Sequence, residues 1–146
     1  MVIRRGERKD AAVAGELAGR LWGHDPVELS RELAELMSSG NAGVFLAWDG
    51  EQPVGFAQAQ LRTDYVEGTQ SSPVGYLEGI YVEPEARRQG VARQLLGACQ
   101  DWARARGCRE FASDCELDNT LSQAFHEAVG FIEANRIVCY VRKLEG

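Results

Sequence analysis

Two features of this sequence have residue types suited to chemistry. The string Arg87-Arg88-Gln89-Gly90-Val91-Ala92 lies where an extended run ends and a long helical period begins. A glycine-containing loop that opens a helix presents unpaired backbone N–H groups beside the positive end of the helix dipole. That geometry suits a pyrophosphate. Gly90 lets the backbone approach closely, Ala92 keeps the helix start slim, and Arg87 and Arg88 add positive charge. The string also reads as an exposed basic turn capping a helix, and spacing alone leaves both readings open. The second feature is a pair of carboxylates. Glu78 interrupts the apolar run Tyr76-Leu77-Glu78-Gly79-Ile80, where a charge is costly unless it is used. Asp114 closes another extended run. Each also reads as a surface carboxylate on a strand.

Composition narrows the classes. The glycine patterns of the P-loop and of the dinucleotide fold are absent, which disfavours ATP and NAD. A net charge of −6 and a pI near 5.0 argue against a nucleic-acid partner and permit attraction of a cation. Cys99, Cys108, Cys115 and Cys139 form no C-x-x-C pair and have no metal-like spacing with the two histidines. They read as reduced thiols, and no metal is expected. Cys115 follows the carboxylate of Asp114, a negative neighbour that disfavours it as an acyl nucleophile. The N-terminus runs from Met1 straight into charged residues without an apolar signal core, and no apolar stretch approaches the ~20 residues of a membrane span. A cytoplasmic protein without a membrane partner is the expectation.

The chain is long enough for one domain, 1–146, with no repeat or linker. Periodicity predicts a short strand at Val2–Arg4 and a helix from Lys9 to Leu21 carrying Val13, Leu17 and Leu21 on one face. Trp22-Gly23-His24-Asp25-Pro26 breaks that pattern, and a second helix runs from Pro26 to Ser39 with Gly40 after its end. Strands follow at Val44–Trp48 and Pro53–Arg62, joined by a hairpin signal at Asp49-Gly50. A loop from Thr63 to Pro73 is too polar to be core. Gly75–Val82 is a strand, Gln89–Arg106 a helix closed by Gly107, and Phe111–Asp114 a short strand. Asn119–Val129 is a helix stopped by Gly130, and Arg136–Arg142 a final strand. This order predicts an α/β (α+β) architecture, a mixed sheet flanked by helices.

These motifs resemble a known superfamily. Arg87 to Ala92, between a strand and a helix, is similar to the acyl-CoA pyrophosphate loop of the GNAT acetyltransferases. Asp118-Asn119-Thr120 followed by Ala124 to Phe131 resembles that superfamily's second signature, an asparagine, a short helix and a terminal Gly-Phe. Further strings resemble bacterial aminoglycoside 6'-N-acetyltransferases: Leu21-Trp22 with His24, Asp64-Tyr65-Val66, Ser71-Ser72-Pro73, Leu77-Glu78-Gly79-Ile80, Gly107 to Glu110 and Ala112-Ser113-Asp114.

The resemblance implies the GNAT fold, a mostly antiparallel sheet of six to seven strands with about four helices, and acetyl-CoA as co-substrate. It implies backbone contacts to the pantetheine arm from Ile80, Tyr81 and Val82, pyrophosphate contacts from Arg87, Arg88, Gln89, Gly90, Val91 and Ala92, and a side-chain contact from Asn119. Asn119 also suits a helix N-cap. The implied acceptor is a polycationic aminoglycoside. Glu78 would bind its ammonium and accept the proton, and Asp114 would hold a second amine. Trp22, His24, Tyr65 and the position of Asn135 match residues lining the sugar cleft. Trp22 also reads as packing for the first helix, and His24 as a solvated turn residue. Asn135 stands where the subfamily can place an acid, with Glu133 near enough in sequence to compensate.

His126 replaces the tyrosine that commonly protonates the leaving thiolate, so the general acid is left open between His126, Tyr140 and water. Direct attack by the amine in a ternary complex is expected, and homodimers are common in the subfamily. Two alternatives remain: an acetyltransferase for another amine (a polyamine, an amino acid or a protein N-terminus), and a module that binds acyl-CoA or drug without turnover.

Overall fold

Helix boundaries follow the capping residues. Helix α1 (Ala11–Trp22) is preceded by a 3-10 turn at Arg8–Asp10 and ends on Gly23 at φ 71°. Helix α2 (Pro26–Ser39) starts where the Asp25 carboxylate accepts from the Val27 N–H, with Pro26 in the first turn, and ends on Gly40 at φ 77°. The computed structural model describes residues 1–146, which divide into two units, Met1–Asp114 and Cys115–Gly146.

The first unit holds a five-stranded sheet in the order β1 (Val2–Arg5), β2 (Ala42–Asp49), β3 (Gln52–Arg62), β4 (Val74–Val82) and β5 (Phe111–Ser113). The first four strands are antiparallel neighbours, and β5 joins β4 in parallel. After β4 a 3-10 turn at Pro84–Ala86 leads to α3 (Val91–Ala105), whose Val91, Leu95, Leu96, Cys99 and Trp102 form a buried stripe. Gln89 and Gly90 stay outside this helix because Gly90 is left-handed at φ 79°. The hairpin turn is Gly50-Glu51, one residue beyond the Asp49-Gly50 expectation, because Asp49 still pairs with Gln52.

The sheet is covered on both faces. Ala14, Leu17 and Ala18 of α1 and Leu29 and Leu33 of α2 pack on Val44, Leu46 and Phe56. Each fully buried Leu or Phe of this cluster contributes about 1.5–3 kcal/mol. On the opposite face, a Cβ at Gly43 would lie 2.9 Å from the Trp102 ring, and one at Gly55 3.0 Å from Leu95. Residues 43–47 of β2 are accordingly buried throughout. The loop between β3 and β4 is less peripheral than its polarity predicts. Val66 is 6% exposed and packs with Val74, Tyr76 and Ala112.

In the second unit, Asn119 caps α4 (Thr120–Ala128) by accepting from the Ser122 N–H. The expected final strand at Arg136–Arg142 does not form; residues 131–146 carry no regular secondary structure and nearly all are exposed. Its continuous apolar run, Ile137 to Val141, marks a segment suited to a sheet, but a strand needs a hydrogen-bonded neighbour, and this unit contains only one helix. The sheet therefore has five strands rather than six to seven.

Candidate active site

The register of β4 is irregular where it matters chemically. Gln58 of β3 pairs with Gly79, but Ala59 pairs with Leu77, so Glu78 is the extra residue of a bulge. In an unbroken strand, residues four apart share a face. Here a Cβ at Gly75 would meet Ala103 of α3, whereas one at Gly79 would meet Trp22 and Leu21 of α1. The bulge at Glu78 reverses the phase of the strand and aims a carboxylate out of an otherwise apolar run.

The same residue marks the end of pairing with β5. The β4–β5 ladder covers only Gly75, Tyr76 and Leu77. From Glu78 onward β4 keeps β3 on one side and presents an unpaired edge on the other. Ile80, Tyr81 and Val82 lie along that edge and can pair with an extended chain.

At the end of β4, Arg87 is extended, Arg88 has φ 65° and Gly90 has φ 79°. Arg88 is the one non-glycine residue of the chain with positive φ, a conformation costing roughly 1–2 kcal/mol for an L-residue. No side chain caps the first turn of α3. Its opening amides, from Val91 and Ala92, are the groups an anion would satisfy. The loop thus fits a pyrophosphate by its main chain. The Arg87 side chain is engaged elsewhere: its Nε donates to the Val82 carbonyl at 2.8 Å, and its guanidinium lies over the Tyr81 ring. Gln89 Nε2 donates to the Glu85 carbonyl.

Glu78 and Asp114 belong to one polar group with two residues that sequence reasoning missed. Nη2 of Arg62 donates to Oε1 and Oε2 of Glu78 at 2.7 and 3.1 Å. The Arg62 guanidinium also sits 3.5 Å above the Tyr76 ring, and the Tyr76 hydroxyl donates to Asp114. Burial, and then the hydrogen bond to Asp114, raise the Tyr76 phenol well above the ordinary tyrosine value. Burial is the largest influence on the Arg62 guanidinium and lowers it, but the hydrogen bond to Glu78 and the charges of Glu78, Tyr76 and Asp114 together raise it. Arg62 ends β3, and Tyr76 lies two residues before Glu78, the spacing of one strand face. That spacing is the signal that finds Tyr76; nothing local in the sequence points to Arg62.

The remaining sugar-cleft candidates separate. Trp22 packs on the α1–α2 core, meets Phe56 edge-on at 5.8 Å and covers Gly79, so it is a wall of the bulge as well as a core residue. His24 is an exposed residue of the α1–α2 turn. Tyr65 is 74% exposed, and its hydroxyl accepts from the Gly68 N–H in the β3–β4 loop. That loop is tied down by Glu110, which accepts from the Gln70 N–H and the Ser71 hydroxyl.

Within the second unit, Asn119 uses its side-chain oxygen as the cap of α4. Nδ1 of His126 lies 2.7 Å from the Ser122 carbonyl. A carbonyl only accepts, so Nδ1 carries the proton, and Nε2 of the neutral ring is an acceptor. His126 can therefore donate from Nε2 only as the imidazolium. Asn135 accepts from the Arg136 N–H, and Glu133 is held by Arg136. Tyr140 is 91% exposed. Two shallow clefts of about 270 and 260 Å³ lie along α1 and touch none of Glu78, Asp114 or Gly90.

Comparison with known proteins is consistent with this geometry. Residues 12–131 match the Acetyltransferase (GNAT) family. The chain is 46% identical to an aminoglycoside N(6')-acetyltransferase type 1 of Stenotrophomonas maltophilia over 98% of this chain and 94% of that protein. It is 42% identical to the enzyme of the same description from Serratia marcescens, covering 99% of each. Among solved structures, AAC(6')-Iy in complex with the bisubstrate analogue CoA-S-monomethyl-acetylneamine superposes with a TM-score of 0.92 at 39% identity, over 98% of both chains. The apo aminoglycoside 6'-N-acetyltransferase AAC(6')-IG from Acinetobacter haemolyticus gives 0.93 at 37% identity, over 99% of this chain and 100% of that one.

Proposed function

The chain belongs to the GNAT acetyltransferase family, and from that premise we propose that it acetylates the 6'-amino group of aminoglycoside antibiotics, using acetyl-CoA, by direct attack of the amine with both substrates bound. Such an activity confers resistance to the drug. The observation that carries this reading is the bulge at Glu78, which sets a carboxylate at the start of the unpaired edge of β4 and links it through Arg62 and Tyr76 to Asp114. The relatives named for this activity match over nearly the whole chain.

Acetyl-CoA supplies the acetyl thioester. The edge at Ile80, Tyr81 and Val82 runs beside the pantetheine arm, and the turn from Arg87 to Ala92 receives the pyrophosphate on its main-chain N–H groups. Asn119 adds a side-chain contact while its oxygen caps α4. Glu78 binds the acceptor ammonium and takes its proton, directly or through water, because only the neutral amine is nucleophilic. Asp114, held by Tyr76, receives a second ammonium. Trp22, His24, Tyr65 and Asn135 contribute to the sugar cleft. The leaving thiolate takes its proton from water, from Tyr140 or from His126 as imidazolium.

The chain acts as a cytoplasmic homodimer in this reading. Support comes from Ile137, Val138, Tyr140, Val141 and Leu144, each at least 67% exposed in one chain and suited to a protein partner. No helix is long and apolar enough to cross a membrane. The net charge of −6 favours a cationic small molecule over nucleic acid.

Coenzyme A release measured with acetyl-CoA and paired acceptors tests the proposal. Saturable turnover is expected with a kanamycin-type sugar bearing a 6'-amine and none with its 6'-hydroxyl counterpart. Turnover only with spermidine would make the enzyme an acetyltransferase for a different amine, and cofactor binding without turnover would make it a binding module.

A further inference from the structure

We infer that Arg62 is a built-in counter-cation, seated on Glu78 where an acceptor ammonium binds and exchanged for it on acceptor binding, so that it sets the charge an acceptor must carry. This rests on the acetyl-transfer reading of Glu78 and adds to it the residue that an acceptor has to displace.

The contact geometry is unusual for arginine. Arginine and carboxylate commonly meet as two parallel bonds from two nitrogens. Here a single nitrogen, Nη2, touches both carboxylate oxygens, at 2.7 and 3.1 Å. A primary ammonium would make the same end-on contact. The guanidinium lies 3.5 Å above the Tyr76 ring, so carboxylate and aromatic face together form a general cation site. That ring's hydroxyl holds Asp114, which joins the occupied cation position to the second carboxylate.

Arg62 is also placed to leave. It is the last residue of β3, directly before the β3–β4 loop, and its side chain is 43% exposed against 20% for Glu78. A pair this exposed is worth a factor of up to about five in an equilibrium constant. An acceptor with one ammonium competes one-for-one with a tethered cation. An acceptor with several ammonium groups also engages Asp114 and displaces Arg62 more readily. Arg62 thereby weakens every acceptor by the same factor, and an acceptor that also engages Asp114 offsets that cost.

The test compares wild type with Arg62→Gln, Arg62→Met and Arg62→Lys on a 6'-amino aminoglycoside and on a monoamine 6-amino sugar, reading kcat and KM separately. Acetyl-CoA affinity by calorimetry and the unfolding midpoint report the state of the fold. Arg62→Gln and Arg62→Met are expected to lower KM about two- to fivefold for both acceptors, with kcat changing less than KM. Arg62→Lys should keep both KM values near those of the wild type. Methionine keeps an apolar stem over Tyr76, so it carries the prediction even should glutamine disturb folding. An unchanged KM for both acceptors, whether or not kcat falls, would overturn the inference and leave Arg62 as a support for Glu78. Absence of wild-type turnover on the aminoglycoside would instead sink the underlying functional reading.

Discussion

The indole of Trp22 lies against the backbone of Gly79. A Cβ at Gly79 would stand 2.5 Å from Cζ2 of Trp22 and 2.8 Å from Cδ2 of Leu21. The contact seats the end of α1 on the residue that follows the bulge, so helix packing and the direction of Glu78 depend on one another. A side chain at position 79 has to move α1 or β4.

Gly79→Ala should therefore lower stability by about 1–3 kcal/mol, the usual cost of overpacking, and should alter Trp22 fluorescence. It should also reduce turnover more than the stability loss accounts for at assay temperature. Denaturant unfolding with parallel kinetics checks both. A variant as stable and active as the parent would mean that the α1–β4 contact does not orient the bulge.

At Gly90 the argument is conformational. A Cβ there meets nothing within 4 Å, but φ is +79°. Gly90→Ala should cost roughly 1–2 kcal/mol from the left-handed backbone alone. The turn would otherwise relax away from the anion-binding conformation. Calorimetry should show coenzyme A affinity falling about tenfold, equivalent to 1.4 kcal/mol. Loss of stability with coenzyme A affinity intact would argue against the turn as the pyrophosphate site.

Tyr76 gives the stability curve an alkaline limb. Burial and the hydrogen bond to Asp114 raise its phenol above the unfolded value of about 10. Above that pH the unfolded chain has lost the proton that the folded chain retains. The contribution is therefore complete below about pH 10 and is lost as pH rises further. Tyr76→Phe should flatten this limb. Equal steepness in both proteins would assign the alkaline loss to other groups.

Much of the architecture was legible in the sequence. Strong period changes and caps such as Asp25-Pro26 and Gly40 located α1, α2, β2, β3 and α3 to within a few residues. The loop opening α3 was readable because glycine and a helix start are local signals. The bulge at Glu78 was not, since it depends on which β3 residue faces which β4 residue. Arg62 was missed for the same reason. Its partners lie 16 and 14 residues away across a sheet, and alternation on β3 gives it no distinction. Residues 136–142 show the converse: an apolar run rich in β-branched residues stated what the segment suits, while strand formation also requires a partner edge. His126 was visible as a titratable group, but its Nδ1 contact with the Ser122 carbonyl, which fixes the tautomer, is a feature of the folded helix.

The most direct measurement is a Glu78→Gln substitution followed by two assays on the same protein: turnover of a 6'-amino aminoglycoside and the affinity for acetyl-CoA. Loss of a group that binds the ammonium and removes its proton should reduce kcat/KM about 10²-fold or more, with acetyl-CoA affinity within twofold of the parent. Equal losses in the two assays, or retained turnover, would contradict the role assigned to Glu78.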